Sequence, residues 1–298
     1  MPTTKQHPVE LFIDSGAFSA FTQGVSINLD EYIAFIKQYK DIISVYANLD
    51  VIGDAAGTLK NQKRMEQAGL KPLPCFHYGE PIKYLQYYLE KHDYIALGGM
   101  VPIDNKDLVI WLDDLYSHYI CDEDGNPRVK VHGFGLTSLK LMLRYPWYSV
   151  DSTSWVVTGR MGAIYVPKPW AHSLDEVWKI SLSNRSPNQS EAGKHLSSFS
   201  PNQRQYVLDY IKQKGYKLGK SEFRTEDASY KLQEGERWNG KAKGDQREVE
   251  MIIESGVCND YRKRDEINII YFLDLEKAMP KWPWAFKLTG EGREGFGI

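Results

Sequence analysis

The sequence predicts an α/β fold, a TIM-like (β/α)8 barrel with a polar, partly helical C-terminal insertion or extension. Short β-rich runs alternate with longer segments of helical periodicity from residue 9 onward, which is typical of βα units around a parallel sheet. Seven candidate strands favour a barrel over an open sheet of five or six strands. The 298 residues suit one such domain. We therefore expect residues 1–298 to form a single barrel domain with an insertion or extension at about 182–260.

The predicted elements follow one another in chain order. Asn28 can cap a helix whose apolar residues recur at helical spacing, Gly69 is a stop signal, and Pro81 suits a first helical turn. The predicted strands are Val9–Asp14, Ile42–Asp50, Pro72–His77, Tyr94–Gly98, Val129–Gly133, a run ending at Asp151, and Gly162–Val166. Helices are expected at about residues 28–39, 55–67, 81–91, 105–120 and 138–144.

The segment from Leu182 to Gly244 has a different character. It is rich in Ser, Asn, Gln and Lys, and it contains one clear helical pattern near Pro201–Lys214. The run Ile267–Asp274 is β-like again and is predicted to be the last strand.

Composition excludes several classes of protein. With 42% hydrophobic and 26% charged residues, the chain is an ordinary globular sequence. No apolar run approaches the ~18 residues of a membrane span, and the N-terminus lacks the apolar segment of a signal peptide, so we expect a cytoplasmic protein without membrane contact. The three cysteines are far apart, which argues against a disulfide framework or a compact zinc site. The net charge of −2 does not indicate a nucleic-acid binder, although a local basic face would suffice for one.

Three of the apolar runs end in an aspartate: Asp14, Asp50 and Asp151. Each one alone could simply cap a helix or tighten a turn. Three at equivalent places indicate a catalytic rim, because barrels keep their active groups at the carboxyl ends of the strands. Paired carboxylates suit reactions at an acetal-like carbon, where one is the nucleophile and another is the acid or base.

Other features allow both a structural and a functional interpretation. Gly98-Gly99 is a tight turn or a place where a planar ligand approaches the backbone. His77 is a structural histidine or a polar reader of a ligand. The turn from His132 to Gly135 could cradle a phosphate, but a GxG alone is weak evidence. The basic run Arg262-Lys263-Arg264 is a solvated face or part of a nucleic-acid surface.

Six short motifs in order carry a resemblance to a known family. They are Asp14-Ser15-Gly16-Ala17-Phe18, Asn48-Leu49-Asp50, Phe76-His77-Tyr78-Gly79, Ala96-Leu97-Gly98-Gly99-Met100, Val131-His132-Gly133-Phe134-Gly135 and Ser149-Val150-Asp151. Their order and strand-end placement resemble the tRNA-guanine transglycosylase superfamily, most closely the phage and bacterial DpdA proteins, which put 7-deazaguanine bases into DNA. The resemblance covers about residues 9–155.

The resemblance implies a role for each matching residue. Asp151 would be the nucleophile that attacks the anomeric carbon, expels guanine and forms a covalent glycosyl-enzyme intermediate. Asp14 would be the general acid to the departing base and the general base to the incoming one. Asp50 would accept hydrogen bonds from the base. The residues that the resemblance places around the base are Ser15, Asp50, His77, Gly98, Gly99 and Met100, with His77 standing where the tRNA enzymes usually carry Gln.

One departure from the family shapes the remaining expectations. The tRNA enzymes carry a CxCxxC zinc motif after the nucleophile, whereas Cys258 is the only cysteine after Asp151. We therefore expect no zinc or other cofactor, and DNA rather than tRNA as the polymer. The alternatives are a zinc-independent tRNA enzyme and a non-catalytic nucleic-acid-binding barrel. A phage-encoded protein would act in the host cytoplasm; the sequence leaves open a protein partner, a homodimer and the 7-substituent of the base.

Overall fold

The computed structural model describes residues 10–183, 185 and 195–288. These residues group into two compact units. The first comprises residues 10–151 and 280–288, and the second comprises the described residues between 152 and 279. We expected one domain with an insertion from about residue 182; the structure changes from one unit to the next directly after Asp151.

The first unit alternates short strands with helices, as predicted. Its strands are β1 (Leu11–Ile13), β2 (Ile43–Tyr46), β3 (Cys75–His77), β4 (Tyr94–Gly98), β5 (Lys130–Gly133) and β6 (Ser149–Val150). Its helices are α1 (Ala17–Thr22), α2 (Leu29–Tyr39), α3 (Ala55–Gln67), α4 (Lys83–Lys91), α5 (Asn105–Leu115), which continues as a π-helical turn (Tyr116–Ile120), and α6 (Leu139–Arg144). The predicted cap is confirmed, because the Asn28 side chain accepts hydrogen bonds from two backbone N–H groups of α2.

All of these strands pair in parallel and in chain order. β1 pairs with β2, and β3 to β6 form a four-stranded sheet. A parallel bridge between Ala47 and Leu73 connects the ends of β2 and β3. The sheet is strongly curved, since the ring of Phe12 on β1 stacks on His132 of β5 with the ring centroids 4.4 Å apart. The mixed α/β class is thereby confirmed.

Three apolar clusters lie in the described part of the first unit, and one of them packs α1, α2 and α3 around β2. The largest one packs α4, α5 and α6 against β3, β4 and β5, and it includes Phe286 from the returning C-terminal segment. A smaller cluster of Leu73, Cys75 and Ala96 contacts Phe12 across the curved sheet. Full burial of a large apolar side chain contributes roughly 1.5–3 kcal/mol, so these clusters fix the strand ends that carry the polar residues.

The second unit contains antiparallel sheets and three helices in its described part. Its elements are α7 (Ser154–Arg160), β7 (Ala163–Pro167), β8 (Val177–Ser181), a 3₁₀ turn (Leu196–Ser198), α8 (Pro201–Gln213), β9 (Lys220–Asp227), β10 (Glu236–Lys243), β11 (Gln246–Glu254) and α9 (Tyr261–Ala278). The predicted helix at Pro201–Lys214 is confirmed as α8. Ser200 and Gln203 form a capping box at its N-terminus. The region predicted as partly helical also holds an antiparallel sheet in the order β10-β11-β9.

Two strand predictions change in this unit. The seventh predicted strand exists as β7, but it pairs antiparallel with β8 instead of extending the parallel sheet. The prediction of a last strand at Ile267–Asp274 is wrong, because this run lies within α9. The buried residues of α9 explain the difference, since Arg264, Ile267, Asn268, Tyr271 and Leu275 recur at the three- and four-residue spacing of a helix.

Among the described residues, no helix is both long enough and apolar enough to cross a membrane.

Candidate functional site

The three predicted acids all follow parallel strands of the first unit. Asp14 comes directly after β1, Asp151 directly after β6, and Asp50 four residues after the end of β2. The carboxyl ends of parallel strands share one edge of a sheet, so the three acids belong to the same edge. Asp14 is close enough to Asp50 to raise its pKa electrostatically. Among the described contacts, no hydrogen bond or ion pair joins Asp151 to either of the other two.

Asp151 is held by two groups on the neighbouring strand connection. Its Oδ1 accepts a hydrogen bond of 2.9 Å from the backbone N–H of Gly135. The Nε2 atom of His132 lies 3.3 Å from the same oxygen, close enough for a strong electrostatic contact although the two atoms are not aligned as a hydrogen bond. The Asp151 side chain is 54% exposed. One carboxylate oxygen is therefore fixed and Oδ2 is left for another partner.

A partly buried polar chain orients His132 toward Asp151. His132 Nδ1 lies 2.7 Å from Ser149 Oγ, which is 2.6 Å from the hydroxyl of Tyr94. If the two hydroxyls donate in the direction of the imidazole, Nδ1 accepts and the ring proton sits on Nε2, facing Asp151. Phe12 stacks on the ring and Phe134 meets it edge-on. The orientation of this histidine is thus set by hydrogen bonds in its plane and by aromatic contacts outside it.

This environment keeps Asp151 ionised. Partial burial alone would raise the pKa of the carboxyl group, but His132 and the Gly135 N–H outweigh it, so that the pKa of Asp151 is lowered from its usual value. A carboxylate that remains charged and partly exposed is available to attack an electrophilic carbon.

We expect His132→Phe to move the acid side of the pH–rate profile to higher pH. The phenyl ring fills the space between Phe12 and Phe134 but removes the group that favours the Asp151 carboxylate, so its pKa rises toward the usual range. The measurement is the rate of the reaction proposed below as a function of pH in both proteins. The matched control is His118→Phe, which removes another histidine beside an aspartate, at the exposed pair with Asp114. An unchanged acid side in His132→Phe would contradict a role for this histidine in setting the charge of Asp151.

Asp50 lies in a polar connection that α3 holds in place. The buried Asn48 donates from Nδ2 to the Thr58 carbonyl at 3.0 Å, and the Thr58 hydroxyl accepts from the Val51 N–H at 2.9 Å. Asn61 donates to the carbonyl of Leu49 at 2.8 Å. These bonds cross from the loop to the helix, and they fix the backbone on both sides of Asp50.

Asp50 and His77 form a buried charged group with Glu80. His77 Nε2 lies 3.3 Å from Asp50 Oδ2, and Nδ1 lies 3.2 Å from Glu80 Oε1. Burial opposes the imidazolium, but the adjacent Cys75 sulfur and the two carboxylates outweigh it, so the pKa of His77 is raised. Burial also raises the pKa of Asp50, while His77 opposes that change. Asp50 Oδ1 is buried without a hydrogen-bond partner among the described residues, so a donor that reached it would remove the cost of an unsatisfied acceptor.

The glycines at the end of β4 make room for this group. A Cβ on Gly98 would lie 2.9 Å from Cys75 Sγ and 3.0 Å from the His77 ring, so any side chain there would push the histidine aside. Gly99 has φ +68°, in the left-handed region that favours glycine, and it is exposed. Met100 is 3% exposed, and its side chain packs into the large apolar cluster. The structure thus brings Asp50, His77 and Gly98 together and leaves Met100 only its backbone for a ligand.

Ser15 is placed next to Asp14 but turned inward. It is buried, and its Oγ accepts from the Ala17 N–H at 3.4 Å at the start of α1. The side chain of Asp14 is exposed at the same turn. Asp14 is therefore open to a ligand, whereas Ser15 supports the turn.

Asp50, Cys75 and His77 also have the donor atoms of a metal site. Their ligand atoms all lie within 4.8 Å of one another. Glu80 on the second nitrogen of His77 resembles the carboxylate–histidine pairs that support metal ligands. Against this, burial raises the pKa of the Cys75 thiol to about 12, and His77 already has a carboxylate at each ring nitrogen. The expectation of no metal stays a prediction.

A cavity of about 200 Å³ reaches Gly135, the residue that donates to Asp151, although Asp151 itself is not among the residues that line it. The turns after β4 and β5 line it, from Met100 to Ile103 and from Gly135 to Ser138, together with Asn105, Leu108 and Leu141. Gly135 both lines this cavity and donates to Asp151. The volume is below the ~300 Å³ of common ligand pockets, so the cavity can hold only a small group.

The predicted basic run does not form one surface. Arg264 is buried and donates to the carbonyls of Gly159 and Val257, both at 2.6 Å. Lys263 donates to Ser255, and Arg262 is exposed beside Tyr261. Because successive residues of a helix are about 100° apart, three neighbours on α9 cannot share a face.

The sequence interpretation missed four residues of this site: Tyr94, Ser149, His132 in its contact with Asp151, and Glu80. His132 stood out only as part of a possible phosphate turn. The signal that could have found the pairing is that His132 and Asp151 lie at the ends of consecutive predicted strands, which are neighbours in a parallel sheet.

Fold and site together define a mixed α/β protein with an ionised aspartate at the edge of a curved parallel sheet. Comparisons with protein-family models, with curated proteins and with solved structures found no match. The functional argument therefore depends on the motifs and on the geometry of the site.

Proposed function

We propose that the protein is a base-exchange glycosyltransferase, a pentosyltransferase that replaces guanine in DNA with a 7-deazaguanine derivative. The observation that carries the proposal is Asp151, a partly exposed carboxylate whose pKa is lowered by His132 and by Gly135, and Gly135 also lines a small cavity. The resemblance to the transglycosylase motifs supplies the reaction class, and the structure supplies a site consistent with it.

The proposed first step forms a covalent intermediate. Asp151 Oδ2 attacks the anomeric carbon of the target deoxynucleotide as the bond from that carbon to guanine N9 breaks. Asp14 donates a proton to the departing guanine, which leaves the deoxyribose as an ester of Asp151. In the second step Asp14 takes a proton from the 7-deazaguanine, whose ring nitrogen attacks the same carbon and releases Asp151.

Asp50 is proposed to bind the base. Its unpartnered Oδ1 would accept a hydrogen bond from a ring N–H or amino group of guanine or of the incoming base. The His77 imidazolium, held by Glu80, would keep this buried carboxylate charged. The backbone at Gly99 and Met100 would complete the contacts.

The fold proposal extends the confirmed α/β class to a TIM-like barrel. Six parallel strands in chain order and the contact between Phe12 of β1 and His132 of β5 support it. A barrel of this kind would place all strand-end acids around one mouth.

The proposed polymer is DNA and the proposed compartment is the cytoplasm, the host's cytoplasm if a phage encodes the protein. A guanine within a duplex would have to leave the stack at a cost of a few kcal/mol, which single-stranded DNA avoids. We therefore expect higher rates on single-stranded than on duplex DNA of the same sequence.

The test is release of radiolabelled guanine from labelled single-stranded DNA, duplex DNA and tRNA, each with and without a 7-deazaguanine base and with and without EDTA. We expect release from DNA that EDTA does not diminish. Release from tRNA alone would replace DNA by tRNA as the polymer. Polynucleotide binding without any release would favour the non-catalytic alternative, and loss of release in EDTA would contradict the proposal of a metal-independent reaction.

A further inference from the structure

We propose that the second unit holds a phosphate-binding pocket built from four arginines. A cavity of about 350 Å³ lies between α7, β10 and the start of α9, and Arg160, Arg185, Arg237 and Arg264 line it. Its other lining residues are Ser183, Asn239, Gly240, Asn259 and Tyr261. No carboxylate is among the described residues that line this cavity, so its wall presents positive charge to whatever enters.

Two of the arginines are fixed by buried partners. Arg237 forms a two-pronged ion pair with Glu250, with N–O distances of 2.8 and 3.2 Å, and its Nη2 also donates to the Asn259 carbonyl at 2.6 Å. Arg264 is held by its bonds to the backbone of Gly159 and Val257. Guanidinium groups held in this way need little ordering when an anion binds.

Arg185 and Arg160 complete the set with fewer constraints. Arg185 donates from Nε to the side-chain carbonyl of Asn239 and from Nη2 to the Trp238 carbonyl, at 3.2 and 2.9 Å. The Arg160 side chain is exposed and makes no hydrogen bond or ion pair with another residue in the described part of the chain. Since each guanidinium has five N–H donors, all four arginines keep donors beyond those their protein partners use.

The charges around the cavity do not cancel at its wall. Among the described residues, Glu250 is the one carboxylate that forms ion pairs with these arginines, and it pairs with both Arg237 and Arg185 from a buried position. Asp265 interacts electrostatically with Arg160 and Arg264, and Asp260 with Arg264, but neither aspartate lines the cavity. Burial and the adjacent Arg237 lower the pKa of Arg185, which agrees with like charges held close together. An anion in the cavity would relieve this repulsion.

The ligand chemistry that fits is a phosphate ester with a neighbouring ring. Arginine forks match phosphate oxygens in geometry and charge. Tyr261 is 44% exposed at the cavity and offers a face on which a base can stack. A nucleotide within a polynucleotide has both the phosphate and the ring. The choice of a polynucleotide as the source of the phosphate rests on the proposed function, whereas the phosphate site itself does not.

The experiment compares two substitutions that remove the same charge from the second unit. Arg160→Gln alters the pocket at the arginine with no described side-chain partner, and Arg204→Gln alters an exposed residue of α8 outside the pocket. Binding of a fluorescent single-stranded oligodeoxynucleotide without terminal phosphates is measured at several salt concentrations. We expect Arg160→Gln to weaken binding about tenfold or more and to lower the salt slope by about one, with Arg204→Gln near the wild type. Equal behaviour of the two variants on this strand, on a 5′-phosphorylated strand and with inorganic phosphate would overturn the proposal.

Two further arms identify the source of the phosphate. The same oligonucleotide with a 5′-phosphate and inorganic phosphate as competitor are tested on the wild type and on both variants. If Arg160→Gln weakens binding of the phosphorylated strand and of inorganic phosphate but not of the unphosphorylated strand, the pocket binds a terminal phosphate. If it weakens binding of both strands, the pocket binds the phosphate backbone. Binding is measured without base exchange, so the two proposals can fail separately. If Arg160→Gln weakens binding but the wild type releases no guanine, the proposed function is refuted and the pocket is supported.

Discussion

Asp151→Asn is expected to reduce guanine release by at least about a thousandfold, because a neutral amide cannot form the ester with the anomeric carbon. The fold should be unaffected. The amide oxygen can still accept from the Gly135 N–H, and the side chain is more than half exposed. The measurement is single-turnover release of labelled guanine from DNA, with thermal unfolding of both proteins as the check on folding.

The matched control is Asp114→Asn, which also neutralises an exposed aspartate next to a histidine. Its release should equal that of the wild type. The covalent intermediate gives a second measurement, since DNA should form an adduct with the wild type on denaturation and none with Asp151→Asn. Release by Asp151→Asn at the wild-type rate would remove Asp151 from the mechanism.

The sequence was sufficient for the local elements of the first unit except α1 (Ala17–Thr22), which was not predicted. Alternation of short apolar runs with helical periodicity depends on neighbouring residues, and capping residues such as Asn28 mark boundaries directly. The same reasoning failed at Ile267–Asp274. A short apolar run suits a strand or a buried helix equally well, and only the packing of α9 within the second unit decides between them.

For the site, the sequence predicts which strand ends carry the acidic residues. The placement of Asp14, Asp50 and Asp151 on one edge follows from parallel pairing. The polar chain behind Asp151 does not follow, because Tyr94 and Ser149 are 55 residues apart and meet only through tertiary packing. The arginine pocket is even less predictable from the sequence, since its arginines come from α7, β10, α9 and the connection after β8.

Asp50→Asn is expected to raise the KM for the incoming 7-deazaguanine base roughly ten- to hundredfold. The carboxylate offers acceptors alone, whereas an amide turns one of its two positions into a donor that would face an N–H of the base. Hydrogen bonds to a charged group contribute roughly 1.5–3 kcal/mol each, which corresponds to that range of affinity. The measurement is the rate of base incorporation into DNA as a function of base concentration.

Asp30→Asn provides the control for Asp50→Asn, because it removes an aspartate of the same unit that is exposed and paired with Arg64. A second comparison separates base binding from the support of His77. Glu80→Gln removes the other carboxylate at His77 and leaves Asp50 Oδ1 unchanged. If Asp50 binds the base directly, Asp50→Asn should raise the KM far more than Glu80→Gln does. Equal effects of the two changes would mean that Asp50 acts through the histidine, and the base-binding role would then pass to His77.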